Sequence, residues 1–242
     1  MSNKAVFISG SSRGIGRSTA LRFARAGYCL VITYQNSESE AEMVARESRQ
    51  LGAPETLVLR LDVSSNESIM SAAKQTREKF GNIDILVNNA GIFKKQPLAE
   101  QPFSDISGQI AVNLEGPIKL TREFLPLIKK SVINVGSGIG FVGKKHAAAY
   151  AATKWGIRGF TKSLAAEMPN LRALAVHPGL TATSMGNAGG MAPEKVAEII
   201  FNAAEGNYGI KNGSDIDVRY YAAGYAGKFL YLVKSYVKKF IS

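Results

Sequence analysis

A short apolar run, Ala5-Val-Phe-Ile-Ser9, gives way to Gly10-Ser-Ser-Arg-Gly14-Ile-Gly16 and then to a segment with helical spacing, Arg17 to Ala26, that stops at Gly27. A strand that passes directly into a helix cannot pair with the next strand through a hairpin. It needs a crossover, and crossovers build parallel sheets. The alternation then repeats. Strand signals at Cys29 to Thr33, Thr56 to Leu61, Asp84 to Asn88, Ser131 to Val135 and Leu171 to Val176 are separated by helical patterns. These helices fall at Ser39 to Gln50, from a capping box at Ser64-Ser-Asn-Glu67 to Phe80, Asp105 to Lys129, and Tyr150 to Met168, with another beginning near Pro193. The prediction is an α/β fold: a doubly wound, mostly parallel sheet with helices on both faces, in three layers. Ligands of such sheets bind beyond the carboxyl ends of the strands.

At 242 residues and 45% hydrophobic, the chain is long enough for one well-packed domain, predicted over residues 1–218. No basic segment followed by an apolar run and a cleavage site opens it, and no stretch approaches the roughly twenty apolar residues of a spanning helix. The single Cys29, inside a strand pattern, can form no internal disulfide, which fits a cytoplasmic protein. The net charge of +11 is partly terminal: after Asp217 no acidic residue occurs, whereas Arg219, Lys228, Lys234, Lys238 and Lys239 are basic. Phe229, Leu232, Val233, Tyr236, Val237, Phe240 and Ile241 recur at spacings of three and four, so 219–242 is predicted to be a basic amphipathic extension. Such a helix packs on the body or a second subunit, or lies peripherally on an anionic membrane surface. No zinc-ligand spacing, RNA-recognition motif or internal repeat points to nucleic acid.

The chemistry is concentrated in three places. In the glycine turn, Gly10 permits the tight turn, Gly14 a close backbone approach and Gly16 close packing, while the helix start offers amide donors to a pyrophosphate. Its Gly-x-x-x-Gly-x-Gly spacing differs from the commoner Gly-x-Gly-x-x-Gly. Tyr150 and Lys154 lie four apart, on one helical face, where an ammonium would stabilise a phenolate. By itself this spacing equally describes an exposed helical pair. Ser137, at the end of the Ser131-Val-Ile-Asn-Val strand, could hydrogen-bond the oxygen of a reacting carbonyl. His146 either lines a substrate pocket or sits in a surface loop, and His177 is placed to support the Pro178-Gly179 turn. Neither suggests a metal site.

In order and spacing, Gly10-x-x-x-Gly14-x-Gly16, Asn88-Asn-Ala-Gly91, Asn113, Ser137, Tyr150-x-x-x-Lys154 and Pro178-Gly179 resemble the short-chain dehydrogenase/reductase family over residues 5–218. The resemblance implies a Rossmann-like catalytic domain that interconverts an alcohol and a carbonyl with a nicotinamide nucleotide. It implies that Tyr150 is the proton donor in carbonyl reduction, that Ser137 positions the carbonyl oxygen, and that Lys154 lowers the Tyr150 pKa and holds the nicotinamide ribose. It also implies that Asn113 retains a proton-relay water beside the lysine; without the resemblance Asn113 reads only as a helix-kink residue. The cofactor-binding set it implies comprises Gly10, Ser12, Arg13, Gly14, Ile15 and Gly16 in the first turn, Asp62 and Val63 after the third strand, and Asn89, Ala90 and Gly91. Pro178, Gly179, Thr181 and Thr183 would cover the nicotinamide end.

Similar proteins that use NAD place an acid after the second strand, where this chain has Tyr34-Gln35-Asn36-Ser37, and those that use NADP place a basic residue where Arg13 stands. NADP(H) is therefore expected over NAD(H), with Asn36 and Ser37 as phosphate donors and Glu38 as the feature against it. The first half resembles 3-oxoacyl-carrier reductases, which admits a carrier-linked substrate as well as a small-molecule one. Lys129, Lys130 and Arg172 would dock an acidic carrier protein; the segment from Thr181 to Ala192 is shorter than the lid of many similar proteins, which suggests an open or flexible mouth, with Gly186, Gly189 and Gly190 permitting movement. A homodimer or homotetramer is expected from the same resemblance.

Overall fold

The computed structural model describes residues 4–186 and 189–222. Seven strands, β1 (Ala5–Ile8), β2 (Cys29–Tyr34), β3 (Thr56–Arg60), β4 (Ile83–Asn88), β5 (Ile128–Val135), β6 (Arg172–His177) and β7 (Asp215–Asp217), form one sheet. Its order is β3-β2-β1-β4-β5-β6-β7, with every pair parallel. The chain leaves β1 first to one side and later to the other, so the order reverses between β1 and β4, and a crevice opens there at the carboxyl ends.

The central strands are buried on both faces, which is why they read as unbroken apolar runs. Along β1, Val6 and Ile8 point into one core with Phe23, Tyr28 and Phe201, while Ala5 and Phe7 point into the other with Ile69, Phe124 and Leu164. The first core is closed by α1 (Gly14–Ala24), α2 (Glu38–Gln50) and α7 (Pro193–Glu205), the second by α3 (Asn66–Phe80), α5 (Gly116–Phe124) and α6 (Ala148–Glu167). This is the expected three-layer architecture. Cys29 is buried in β2, and among the described residues no helix is long and apolar enough to cross a membrane.

Several local readings are corrected. The helix expected from Asp105 to Lys129 is α4 (Phe103–Ile110), a π-helical turn (Ala111–Glu115), α5, and a 3-10 turn (Leu125–Leu127). Pro117 opens α5 and Pro126 ends the helical path, after which Ile128 pairs with Ile83 and starts β5 three residues earlier than predicted. The cap of α3 is Ser65, not Ser64: its Oγ accepts from the Ser68 amide (3.2 Å) and donates to Glu67 (2.9 Å). Strand β7 was not anticipated. At three residues, two of them aspartates, it is too short and too acidic to read as a strand. The predicted extension at 219–242 begins inside α8 (Val218–Ala222), and the amphipathic pattern from Phe229 onward lies outside the described residues.

Phe124 fixes α5 to the sheet, its ring 4.5 Å from that of Phe7 and fully buried. Phe124→Ala is expected to cost about 3–5 kcal/mol in urea unfolding, the cost of an unfilled core cavity; a loss below about 1 kcal/mol would mean that α5 is held by other contacts.

Candidate active site

The glycine turn is fixed by hydroxyls as much as by glycines. Ser11 Oγ donates to the Ile8 carbonyl (2.9 Å) and accepts from the Thr33 amide (2.8 Å), and Thr33 Oγ1 accepts from the Gly10 amide (2.8 Å). Gly10 and Gly14 adopt left-handed φ of 65° and 56°, where a side chain is strained. At Gly16 a Cβ would lie 2.2 Å from the Gly10 carbonyl oxygen, so the helix start can reach the turn only as glycine. No side chain caps α1, and its first turn holds no acid. Uncapped amides on a glycine-rich cradle fit a pyrophosphate. Ser12 and Ile15 lie part-buried on this cradle, and Arg13, its N-cap residue, is exposed.

From β4, Asn88 turns inward. Its Nδ2 donates to Thr121 (2.9 Å) and Asn134 (2.8 Å), and Asn134 donates in turn to Thr161 (2.9 Å), locking β4, β5, α5 and α6 together. Asn89 Nδ2 donates to the carbonyls of Ser9 and Gly10 (2.9 Å each), and the amides of Asn89 and Ala90 donate to Ser9 Oγ (2.9 and 3.0 Å). Ser9, Ser11 and Thr33, which hold these loops, were not singled out from the sequence; hydroxyls at strand ends carry no distinctive spacing. Asp62 accepts from the amide and hydroxyl of Ser64 (2.9 and 2.6 Å), chiefly the hydroxyl bond holding its carboxyl below the ordinary range. Val63 is buried, its side chain and carbonyl against Gly116. Asn36 and Ser37 follow β2, the Ser37 hydroxyl making no cap bond to α2.

Asn113 lies fully buried in the π turn, a distortion common at functional sites. Its Oδ1 accepts from the Ile92 amide and its Nδ2 donates to the Ile92 carbonyl, both at 2.8 Å. The side chain is thus engaged with the loop, each end keeping one further hydrogen-bonding position. A Cβ on Gly91 would lie 3.1 Å from Asn113 Oδ1 and 3.9 Å from Lys154 Nζ, so all three meet at one point. Lys154 is buried, donates to the Val135 carbonyl (2.9 Å), and lies 5.6 Å from the Tyr150 ring centroid. Burial pushes its pKa down to about 8. Tyr150 is raised by burial, partly offset by a hydrogen bond with the Ser137 side chain. The expected lowering of the phenol by the lysine is not what sets its pKa here: desolvation acts first, and Ser137 is the group that opposes it.

Ser137 sits at the end of β5 in a loop anchored by a cluster invisible in the sequence. His177, fully buried in β6, places Nδ1 3.2 Å from both the amide and the carbonyl of Ser137, and its Nε2 lies 2.8 Å from Asp215 of β7. Asp215 also accepts from Arg158 (3.1 and 3.0 Å) and Lys162 (3.0 Å), and Arg158 donates to the Gly140 carbonyl (3.0 Å). One carboxylate therefore holds both ends of the 137–140 loop. Although burial disfavours its charge, the hydrogen bonds from His177, Arg158 and Lys162 leave the Asp215 pKa well below the ordinary range. The His177 side chain thus holds the serine loop, and that loop is tied to the turn after β6 by the Gly138 amide, which donates to the Pro178 carbonyl (2.7 Å).

The segment after Gly179 is built for close contact. Thr181 is buried and bridges to Met191, and the Thr183 methyl lies 3.3 Å from a Cβ placed on Gly14. Gly186 and Gly190 were expected to permit movement; instead, a Cβ on either would strike the Thr181 backbone, at 1.9 and 2.5 Å. Their lack of a side chain serves packing. Of the basic residues expected to dock a carrier, Lys130 pairs with Glu205 (2.9 Å), while the Arg172 guanidinium lies near Gly206. His146 lies in a loop with φ 65°, its carbonyl accepting from the Gln96 amide (3.1 Å).

Comparison with known proteins agrees with this geometry. The sequence profile described as short chain dehydrogenase matches residues 4–192. A 3-oxoacyl-[acyl-carrier-protein] reductase of Staphylococcus epidermidis is 35% identical over 192 residues, 77% of this chain and 78% of its own. A trans-4-hydroxycyclohexanecarboxylate dehydrogenase of Sinomonas cyclohexanicum is 36% identical over 194 residues, 76% of this chain and 75% of its own. A short chain dehydrogenase from Burkholderia cenocepacia, solved in complex with NADP, superposes with a TM-score of 0.83 at 28% identity, covering 88% of this chain and 95% of its own.

The serine loop yields a stability prediction. A Cβ on Gly136 would lie 2.2 Å from His177 Nδ1, and the imidazole cannot retreat while Asp215 holds it. Gly136→Ala is expected to destabilise by about 1–3 kcal/mol in denaturant unfolding; unchanged stability would show that the ring is not held in place.

Proposed function

The chain belongs to the short-chain dehydrogenase family, and from that membership we propose that it interconverts a carbonyl and a secondary alcohol with NADP(H), using Tyr150 as acid/base. The observation that carries the reading is one connected group at the carboxyl ends of β4 and β5: Asn113 and Lys154 meet beside Gly91, Lys154 lies against the Tyr150 ring, and Ser137 lies beside the Tyr150 hydroxyl. The nicotinamide nucleotide, when bound, supplies or accepts the hydride. In the reductive direction the carbonyl π pair moves onto oxygen, and the phenol of Tyr150 gives that oxygen its proton. The Ser137 hydroxyl donates to the same oxygen as negative charge develops there. Lys154, anchored on the Val135 carbonyl, keeps a positive charge behind the phenol and offers its ammonium to the nucleotide ribose. Asn113 holds the Gly91-Ile92 backbone against this group.

Two features support NADP(H) over NAD(H). Arg13 stands exposed at the glycine turn. Asn36 and Ser37 follow β2 where an acid would otherwise bind the ribose. Glu38, the one carboxylate against this choice, stands near the Tyr34 hydroxyl, whose pKa burial and this carboxylate raise. The NADP complex of the Burkholderia cenocepacia relative also points to NADP(H). The two curated relatives are named for 3-oxoacyl-carrier and hydroxycyclohexane substrates. They share a carbonyl or secondary alcohol, and a 3-oxoacyl thioester is the substrate class favoured for this chain. Exposed apolar residues on α4 to α6, Phe103, Ile110, Ile118 and Trp155, support a homo-oligomer built on those helices.

The test is hydride transfer from NADPH and NADH with ketones, aldehydes and 3-oxoacyl thioesters. Tyr150→Phe is expected to lower kcat by about 10²–10⁴ while nucleotide affinity persists, the contribution of one positioned proton donor. Nucleotide binding with no Tyr150-dependent turnover across the panel would instead favour a cofactor-sensing role. The pH profile is a second check. The ammonium of Lys154 is present below its pKa and lost above it, so kcat/KM for reduction is expected to fall as pH rises through about 8. Lys154→Arg, which stays charged, should remove that limb.

A further inference from the structure

The rim above Tyr150 carries four lysines that the proposed chemistry does not use. Lys94 and Lys95 follow Phe93, whose ring packs on Tyr150 with centroids 4.6 Å apart. Lys144 and Lys145 precede His146 and the start of α6. The bond from the Gln96 amide to the His146 carbonyl (3.1 Å) joins these two loops directly. Each loop is also pinned. The Lys94 amide donates to Oε1 of the buried Gln109 (3.0 Å), and the Ala147 amide donates to the Lys144 carbonyl (3.2 Å). Two Lys-Lys pairs are therefore held next to one another at the lip of the site.

Their charge has no counterpart. All four are exposed, and among the described residues none forms an ion pair. The chain has no acidic residue between Asp84 and Glu100, nor between Glu123 and Glu167. Elsewhere the protein does pair its lysines, as in Lys119 with Glu115, Lys130 with Glu205 and Lys162 with Asp215. Across the mouth, Arg219 lies over Gly138 and Gly179 but is matched by Asp217 (3.0 and 2.6 Å). Like charges fixed close together repel, and a rim of one sign concentrates oppositely charged ligands and speeds their capture.

We propose that Lys94, Lys95, Lys144 and Lys145 receive a polyanionic, phosphate-bearing handle on the substrate, whose carbonyl end enters beside Tyr150 while the handle stays at the lip. A single carboxylate would need one or two cations. Four, spread over two loops, match a group with several charges. The inference rests on the carbonyl-reductase reading only for which end of the substrate reacts.

The experiment compares acetoacetyl-CoA with the acetoacetyl thioester of N-acetylcysteamine, which have the same reacting end but differ in phosphates, at saturating NADPH over a range of ionic strength. The ratio of kcat/KM for the CoA thioester to that for the neutral one is expected to fall about tenfold between low and physiological salt, as for steered association. In the variant with Lys94, Lys95, Lys144 and Lys145 all changed to Gln, the ratio should start about tenfold lower and lose most of its salt dependence. A ratio that ignores salt, or that the variant leaves unchanged, would overturn the proposal and make the rim an ordinary solvated surface. Turnover of neither thioester would count against the reductase reading instead. Calorimetric titration with coenzyme A alone then decides the rim: binding to wild type that the variant loses upholds it, and equal or absent binding rejects it.

Discussion

The turn after β1 and the turn after β4 approach too closely for side chains, and the site is assembled from that contact outward. A Cβ on Gly16 would collide with the Gly10 carbonyl and lie 2.5 Å from Asn89 Nδ2, the amide that ties the two turns together. A Cβ on Gly10 would lie 3.0 Å from Ala90 Cα. This approach fixes where Gly91 leaves β4. Gly91 leads to Ile92, whose backbone both ends of the Asn113 amide grip, and the point where Gly91 and Asn113 meet is also where the Lys154 ammonium lies. The cradle for a pyrophosphate and the acid/base group are thus positioned by one continuous set of backbone contacts, not as two separate features.

Behind that line, most buried polar groups are bonded to one another, although Asn88 Oδ1 itself has no partner among the described residues. The Asn88-Asn134-Thr161 chain crosses from β4 to α6 within the second core, and Thr161 completes it by donating to the Ile157 carbonyl (2.7 Å). On the far side of β5, His177 and Asp215 do the same for the serine loop. Removing the Asp215 carboxylate would leave a buried imidazole and the Arg158 guanidinium without their shared partner, a larger loss than the net worth of any one bond. The geometry of the proposed site thus depends on two residues outside the recognised motif.

Much of this was legible in the sequence, and the omissions have physical causes. Apolar runs of strand length separated by helical periods specify a parallel sheet, and glycines after the first run, with Tyr150 and Lys154 one turn apart, specify where chemistry sits. Strand β7 was missed because three residues give no period. The π turn was missed because one extra residue in a helix leaves the apolar pattern on either side intact. Lys130 reads as free charge because ion pairing joins residues distant in sequence, and Gly186 and Gly190 read as hinges because a glycine needed for close packing looks the same as one needed for movement. The rim lysines stand in plain view as two dipeptides; what the sequence lacks is the Gln96 to His146 bond that brings them together.

The same burial acts on the two central groups in opposite senses, and the combination has a direction. Desolvation disfavours whichever form is charged, so it raises the phenol of Tyr150 and lowers the ammonium of Lys154 to about 8. Below that pH both carry their protons: the tyrosine has one to give, and the lysine is the positive charge behind it. Oxidation of an alcohol would require the phenolate, which burial opposes and which the Ser137 hydrogen bond and a charged Lys154 favour. On the proposed chemistry, then, the protonated pair is the form that carbonyl reduction draws on, and a negative handle held at the lysine rim keeps its charge at the exposed lip rather than beside the buried pair.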